Sequence, residues 1–322
     1  MEAPIFIFSL PRSGSTLLQR TLMGHKDIFS IAEPWVLLPQ VYALKKEGTL
    51  SVYSSSTGHT GLMDFIENLP NKSQDYYREL NLFLTRLYGL QCKNNERYFI
   101  DKTPRYYLII DEIVTLFPNA KFIFLFRNPI HVYASIINTW GKGRLSRLFS
   151  TYYDLTDGFE KLSEGYRKHK DRSLAIQYED FVDKPETEVN KILKYLSLDL
   201  DKELINKFSN QDTKGQLGDP TGVHKYKTIS NEGLDKWKTT FNTLFRKKIV
   251  INYLKRIPDS SFQAQGYDKN VLIKEVNDLK TSNNISVFKD LTGFVFSYIY
   301  RNNRLHLTFN KNFRWQRKKY LS

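Results

Sequence analysis

The sequence predicts an α/β protein built on a doubly wound parallel sheet flanked by helices, with helical insertions and a basic, aromatic C-terminal extension. Short apolar runs of strand length recur along the chain, and segments with helical spacing of apolar residues follow them. The run KFIFLF at 121–126 is nearly continuously apolar, as expected for a strand covered on both faces. Strands that alternate with helices favour a parallel sheet, whose ligands gather at the carboxyl ends of its strands.

The first predicted strand and helix are joined by a loop with the groups of an anion site. Residues 5–10 have the length of a buried strand, and apolar residues recur at helical spacing from Leu17. We expect the helix to begin at Ser15 or Thr16. Loop N–H groups, the helix N-terminus and a guanidinium would together bind a phosphate or sulfate ester. The predicted ligands are Arg12, Ser13, Gly14, Ser15 and Thr16.

The same loop has a simpler interpretation, because Ser and Thr cap many helices that bind no ligand. The usual nucleotide-triphosphate loop, G-x-x-x-x-G-K-[ST], is absent, since no lysine precedes Ser15 or Thr16. This absence argues against an ordinary kinase or ATPase.

The next segment is predicted to contain a short strand, a loop and a helix. The strand is expected at 28–31, which puts Glu33 at a strand end. Residues 47–61, rich in Gly, Ser and Thr, are interpreted as a long loop. A helix is predicted from Asp75 to about Gln91, and its apolar stripe is expected to be core.

A second candidate phosphate site follows the strand at 121–126. Arg127 comes directly after this strand, and Ser135 lies eight residues later on a helix that Pro129 is expected to open. A guanidinium and a hydroxyl so placed could hold one phosphate from two sides. In the alternative interpretation, Arg127 is structural and pairs with a carboxylate such as Asp101.

The C-terminal half is predicted to continue the alternation. SLAIQYEDF at 173–181 is interpreted as a buried strand ending at Tyr178 and Glu179, followed by an amphipathic helix over 184–198. The Gly-rich segment 215–233 is predicted to be a loop whose basic side chains, Lys227 among them, could fold over a bound anion.

The amino-acid composition limits the kinds of partner that we expect the chain to bind. Lys and Arg number 48 against 34 Asp and Glu, a net charge of +14, which suits an anionic small molecule, glycan, membrane or nucleic acid. Residues 301–322 carry seven basic side chains and no acidic one, interleaved with aromatic residues. This pattern suits an interface with anionic lipid or an acidic glycan and could suit RNA, so peripheral membrane contact is one candidate role for the tail, although a solvated basic tail is commoner. Nucleic acid is not the expected partner.

The sequence also indicates a compartment. The single Cys92 permits no intramolecular disulfide, and the first apolar run lacks the flanks and length of a secretory signal. The other apolar runs fall below the roughly 18 residues that a bilayer span needs. We therefore expect a cytoplasmic protein. No cluster of His, Cys or carboxylates argues for a metal.

Five segments, in order, resemble the sulfotransferases that use 3′-phosphoadenosine 5′-phosphosulfate (PAPS). FSLPRSGSTLLQRTL is similar to the family's 5′-phosphosulfate loop, and KFIFLFRNPIHVYASIIN is similar to its 3′-phosphate motif. IDKTPRYY, IQYEDFVDKPETEVNKILKYLSL and EGLDKWKTTF match further segments. The order from RSGST to AEPW is most similar to the branch of tyrosylprotein and many bacterial-type enzymes.

The resemblance implies a P-loop-like fold, PAPS as the donor, adenosine 3′,5′-bisphosphate as the product, and no metal. It implies that Glu33 is the base and that Lys102 stabilises the charge of the group in transfer. It assigns Arg12 a catalytic role as well as contact with the 5′-phosphosulfate. The other residues implied in donor binding are Ser13, Gly14, Ser15, Thr16, Arg127, Ser135, Tyr178 and Lys227.

Two departures from the cytosolic branch bear on the acceptor. Arg12 stands where those enzymes have a lysine, and no RKG triplet precedes Gly233. Both argue against a steroid or phenol enzyme. We divide the chain into a sulfotransferase domain at 1–280 and an extension at 281–322, and expect the insertion at about 40–97 to bind the acceptor.

Three hypotheses remain at this stage. The leading one is sulfation of an acceptor hydroxyl on a carbohydrate or glycolipid, with a protein tyrosine or a small-molecule hydroxyl as the alternative acceptor. The second is a nucleotide kinase-like phosphotransferase. The third is a non-catalytic basic protein that binds a membrane or a nucleic acid.

Overall fold

A computed structural model describes residues 1–49, 51, 53–201, 203–207, 211, 213, 215, 217, 229, 231–282 and 287–302. Internal contacts divide the chain into two units. The first consists of Met1–Ser9, Gly14–Leu125 and Lys168–Ile229, and the second of Leu10–Ser13, Phe126–Arg167 and the described residues after Ile229. The division at residue 280 stays a prediction.

The first unit is built on a five-stranded sheet. Its strands are β1 Ala3–Ser9, β2 Ile28–Ser30, β3 Tyr98–Asp101, β4 Lys121–Phe126 and β5 Ser173–Gln177. They lie in the order β2-β3-β1-β4-β5, and β1 is parallel to both neighbours. Because the chain fills one side of β1 before crossing to the other, the strand order reverses at β1, where doubly wound sheets bind ligands. The predicted doubly wound α/β fold is confirmed.

An aromatic layer holds the central strands in place. All seven residues of β1 are buried. The Phe6 and Phe122 rings stack with centroids 6.1 Å apart, and the Phe8 and Phe124 rings lie 5.0 Å apart. Burial of such large side chains supplies much of the hydrophobic stabilisation of a sheet. The loop after β1 therefore starts from a rigid strand end.

Helices surround the sheet in the first unit and make up most of the second unit. The α-helices of the described residues, in chain order, are α1 Ser15–Leu22, α2 Leu37–Ala43, α3 Ser55–Glu67, α4 Lys72–Gln91, α5 Ile110–Leu116, α6 Pro129–Thr139, α7 Tyr152–His169, α8 Tyr178–Asp183, α9 Pro185–Tyr195, α10 Leu204–Lys207, α11 Lys236–Thr240, α12 Leu244–Arg256, α13 Asp259–Ala264, α14 Lys269–Asp278 and α15 Val287–Asn302. The first unit contains α1 to α5 and α8 to α10, and the second contains α6, most of α7 and α11 to α15. Short 3₁₀ helices span Pro104–Leu108 and Leu145–Ser150.

The second unit packs around α6. The Tyr133 ring on this helix meets Phe241 at a centroid distance of 5.6 Å and Tyr253 at 5.0 Å. The His131 ring stacks on Trp237 at 6.0 Å. These contacts hold α11 and α12 against α6.

Three local predictions are wrong. Residues 47–61 are not one loop, because α3 begins at Ser55, where the Ser54 hydroxyl accepts a hydrogen bond from Thr57 N at 3.2 Å. The apolar stripe of α4 is core only at Leu84; Phe83 and Leu90 are exposed. Tyr88, one turn after Leu84, is also buried, so the buried side of α4 is a narrow strip along the helix.

The third correction concerns the fifth strand. β5 ends at Gln177, and only its Ile176 is buried, because β5 lies at the edge of the sheet. Tyr178 is the first residue of α8 rather than the end of the strand.

Candidate active site

The loop after β1 has the backbone of an anion cradle. Arg12 and Gly14 have φ values of 67° and 88°, and Gly14 is the N-cap of α1. A Cβ at Gly14 would lie 2.2 Å from a ring carbon of Tyr178, so only glycine fits there. Among the described residues no side chain caps α1, and its first turn contains no acidic residue. The partial positive charge at the N-terminus of α1 therefore suits an anion.

A buried lysine organises the site in the first unit. Lys102 follows β3 directly and is 1% exposed. Its Nζ donates to Glu33 Oε1 at 3.0 Å and to Thr16 Oγ1 at 3.3 Å. The Trp35 indole Nε1 donates to the other Glu33 oxygen at 3.3 Å. A cation, a carboxylate and the first turn of α1 therefore converge.

The segment that carries Glu33 is held by a buried network around Asp101. This carboxylate is fully buried and accepts hydrogen bonds from Tyr88 at 2.7 Å, Tyr106 at 2.9 Å and Thr103 at 3.2 Å. The Thr103 hydroxyl accepts from Trp35 N at 3.2 Å, and the Tyr106 hydroxyl accepts from Leu37 N at 3.3 Å. Asp101 therefore orients the hydroxyls that fix the backbone on both sides of residue 36.

The backbone at Trp35 explains why such support is needed. Its φ of 55° lies in the left-handed region, which costs a residue other than glycine about 1–3 kcal/mol. The hydrogen bond from its N–H group to Thr103 opposes that cost. Sequence reasoning considered Asp101 only as a partner for Arg127. A carboxylate at a buried strand end, followed by Thr103 and Tyr106, was the available signal.

Burial raises the pKa of Asp101 from 3.8 to about 6, even though the hydroxyls and the charge of Lys102 favour the carboxylate. The folded state then binds this proton more tightly than the unfolded state does. The free energy of unfolding should therefore fall as pH rises from about 4 to about 6, by on the order of 3 kcal/mol. Asp101→Asn should remove this component, which urea unfolding across that pH range would measure. Parallel profiles for the variant and the wild type would contradict the prediction.

The second unit contains a separate cluster of two arginines and a hydroxyl. Arg12 Nε donates to Ser135 Oγ at 3.3 Å, and an Arg127 terminal nitrogen donates to the Arg12 carbonyl oxygen at 2.8 Å. Ser135 lies on α6, which Pro129 opens behind the N-cap Asn128, as expected for a proline in a first turn. The sequence-predicted Arg127 and Ser135 are thus both brought to Arg12. The Arg12 guanidinium lies beside the Ser135 hydroxyl, and the Arg127 guanidinium lies against the Arg12 backbone. Guanidinium and hydroxyl groups are donors that suit a phosphate group.

The remaining predicted residues have different outcomes. Ser13 and Ser15 are buried in the loop and in the first turn of α1. Tyr178 packs over Gly14. Lys227 lies outside the described residues, as do residues 303–322 of the basic tail. In the described parts of the chain, no group of three or more His, Cys, Asp or Glu side chains could hold a metal ion.

Comparison with known proteins gives a concordant result. Residues 4–202 match the family model described as "Sulfotransferase family". Nodulation protein NoeE of Sinorhizobium fredii is 26% identical over 262 residues, which cover 73% of this chain and 59% of NoeE. The protein-tyrosine sulfotransferase of Drosophila melanogaster is 25% identical over 249 residues, which cover 72% of this chain and 46% of that protein. The chain thus spans about half the length of these two relatives.

A solved structure shares the fold. The sulfotransferase domain from the curacin biosynthetic pathway superposes with a TM-score of 0.53 at 25% sequence identity. The match covers 83% of this chain and 99% of that domain. The similarity therefore extends well beyond the loop after β1.

Proposed function

Because the chain belongs to the sulfotransferase family, we propose that it transfers the sulfuryl group of PAPS to a hydroxyl of a carbohydrate or glycolipid. The contact of Lys102 with Glu33 and Thr16 is the observation that carries this proposal. Transfer of an anionic group to a hydroxyl needs a proton acceptor and a fixed cation near the donor. The cluster contains both.

When bound, PAPS supplies a sulfuryl group whose S–O bond to the 5′-phosphate breaks as the acceptor oxygen bonds to sulfur. We assign the binding of the 5′-phosphosulfate to Arg12, the loop N–H groups and the hydroxyls of Ser15 and Thr16. The helix N-terminus and the glycine at residue 14, which leaves room for a close ligand, fit such a group. Lys102 stabilises the negative charge on the transferring oxygens.

Glu33 accepts the proton of the acceptor hydroxyl. Lys102 and Trp35 each donate to a different oxygen of this carboxylate, which fixes its plane. Each carboxylate oxygen has a second lone pair, so these hydrogen bonds leave capacity for a proton. Fixed orientation matters because general-base catalysis requires the base within hydrogen-bond reach of the proton.

We assign the 3′-phosphate to Arg127 and Ser135. Each contacts residue 12, Arg127 at its carbonyl oxygen and Ser135 at its guanidinium, and this supports the role because a phosphate accepts hydrogen bonds from guanidinium and hydroxyl groups at once. Recognition of a 3′-phosphate would separate PAPS from ATP. Tyr178 and Lys227 remain proposed nucleotide contacts on the basis of the resemblance.

The proposal of an acceptor rests on the insertion at 40–97, which is expected to bind it. Exposed apolar side chains there, Phe65, Phe83 and Leu90, would suit an acceptor with an apolar part, such as a glycolipid. A relative named as a protein-tyrosine sulfotransferase makes a protein tyrosine the alternative.

Radiolabelled PAPS incubated with glycans, glycolipids, phenols and tyrosine peptides tests the proposal. We expect label on a glycan or glycolipid. Label on a tyrosine peptide alone would keep the reaction and replace the acceptor. Phosphoryl transfer from labelled ATP, with none from PAPS, would contradict the reaction itself.

Arg127→Ala should weaken binding of adenosine 3′,5′-bisphosphate about 10- to 100-fold, because hydrogen bonds to charged groups contribute about 1.5–3 kcal/mol. Isothermal titration calorimetry would measure the loss. The affinity of the variant for AMP, which lacks the 3′-phosphate, should fall much less. Equal losses for both nucleotides would mean that Arg127 supports the Arg12 carbonyl and does not bind the phosphate. Exposed Arg78→Ala is the control.

A further inference from the structure

The helix α15 buries two polar side chains and leaves several apolar side chains exposed. Asp290 and Ser297 are buried. The Asp290 carboxylate pairs with Arg246 through two hydrogen bonds of 2.6 and 2.9 Å. Phe294 also packs inward, with its ring 6.2 Å from that of Phe245, but other apolar side chains of this helix stay exposed. A globular surface helix normally buries its apolar stripe, so the exposed apolar side needs an explanation.

The orientation is fixed by contacts within the second unit. Arg246 also donates to the Gly143 carbonyl oxygen at 2.8 Å, which ties the ion pair to the turn after α6. A Cβ at Gly293 would lie 3.1 Å from Ser146 N, so the helix approaches the 3₁₀ helix Leu145–Ser150 closely. Turning α15 to bury its apolar side would leave a buried arginine without this carboxylate, which is costly.

The exposed apolar side, here called the outer face of α15, covers about two and a half turns. Its members lie within about 100° of the helix circumference at 100° per residue. Each is at least 42% exposed, and Phe288 is 77% exposed. The outer face consists of Val287, Phe288, Leu291 and Val295.

We propose that the outer face of α15 lies on an anionic membrane surface. The 22 residues 301–322, which begin at the end of this helix, carry seven basic side chains and no acidic one. An apolar helix face joined to basic and aromatic sequence is the combination that binds the interface of anionic bilayers. A second copy of the chain is a poorer occupant, because it would bring two such basic segments together.

The helix lies on the bilayer and does not cross it. Sixteen residues reach about 24 Å, short of the roughly 30 Å hydrocarbon core. Among the described residues, no helix combines the length and apolar character that crossing requires. Insertion of the outer face to the level of the headgroups also leaves the Asp290–Arg246 pair within the protein.

Vesicle co-sedimentation of the full chain tests this proposal. Binding to phosphatidylcholine vesicles with about 30 mol% phosphatidylserine should exceed binding to phosphatidylcholine alone at least tenfold, and salt should weaken it. The double variant Leu291→Glu with Val295→Glu should bind at least tenfold less than the wild type. Both positions are exposed, so its thermal unfolding should be unchanged.

The matched control adds the same two charges elsewhere in the second unit. Leu244→Glu with Val271→Glu, at exposed positions of α12 and α14, should bind vesicles as the wild type does. Wild-type binding by the α15 variant would overturn the proposal, because the basic tail would then act alone. Sedimentation velocity tests whether a second copy of the chain occupies the outer face of α15 instead. A wild-type oligomer that the α15 variant converts to a monomer would also overturn the proposal.

Discussion

Replacement of Glu33 by glutamine is expected to lower sulfation about 10²- to 10⁴-fold while adenosine 3′,5′-bisphosphate still binds. Glutamine keeps the shape and an acceptor oxygen for Lys102, which lies 3.0 Å from the carboxylate. It cannot take the proton of an acceptor hydroxyl. Single-turnover transfer from radiolabelled PAPS measures the chemical step, and calorimetry measures nucleotide affinity.

The matched control is Glu112→Gln, because Glu112 is also paired with a lysine, Lys45, in the first unit. That variant should transfer sulfate at the wild-type rate. Unchanged turnover in Glu33→Gln would remove the base assignment. Loss of nucleotide binding together with turnover would instead make Glu33 a support for the N-terminus of α1, reached through Lys102 and Thr16.

The parts of the site that could be predicted from the sequence lie where a strand ends. Strand ends were readable from the apolar runs, and topology brings the ends of neighbouring parallel strands together. Arg127 follows β4 and the loop with Arg12 follows β1, so the sequence pattern predicts both as anion ligands. Lys102 also follows a strand, β3, but only the resemblance to the sulfotransferases predicts its role. Ser135 is predicted beside Arg127 because it lies about two turns into the helix that Pro129 opens.

The sequence signals only part of the Asp101 network, because its members come from separate elements. Tyr88 lies on α4, whereas Thr103 and Tyr106 follow β3, and their convergence depends on how α4 packs. The helical spacing of apolar residues predicts that α4 exists, but it indicates the wrong buried side. The same limit applies at α15, where the partner of the buried Asp290 is Arg246, on another helix of the second unit.

The charge of Lys102 should matter more than its packing. Lys102→Met keeps an unbranched side chain but removes the cation beside Glu33 and Thr16. We expect sulfation to fall about 10²- to 10³-fold, the usual cost of removing one group that stabilises transition-state charge. Single-turnover transfer measures this fall, and Lys45→Met is the control for loss of a paired lysine.

The free energy of unfolding gives a second measurement, which separates the catalytic role of Lys102 from its role as the charge partner of Glu33. Breaking a buried ion pair costs about 3–5 kcal/mol, because one charge is left without its partner. Lys102→Met should therefore unfold at lower urea, and adding Glu33→Gln should recover much of the lost free energy of unfolding, since both charges are then gone. Sulfation should stay low in the double variant, which lacks both the base and the cation. If the double variant transferred sulfate faster than Glu33→Gln alone, Lys102 would oppose the reaction, and its assigned role would be wrong.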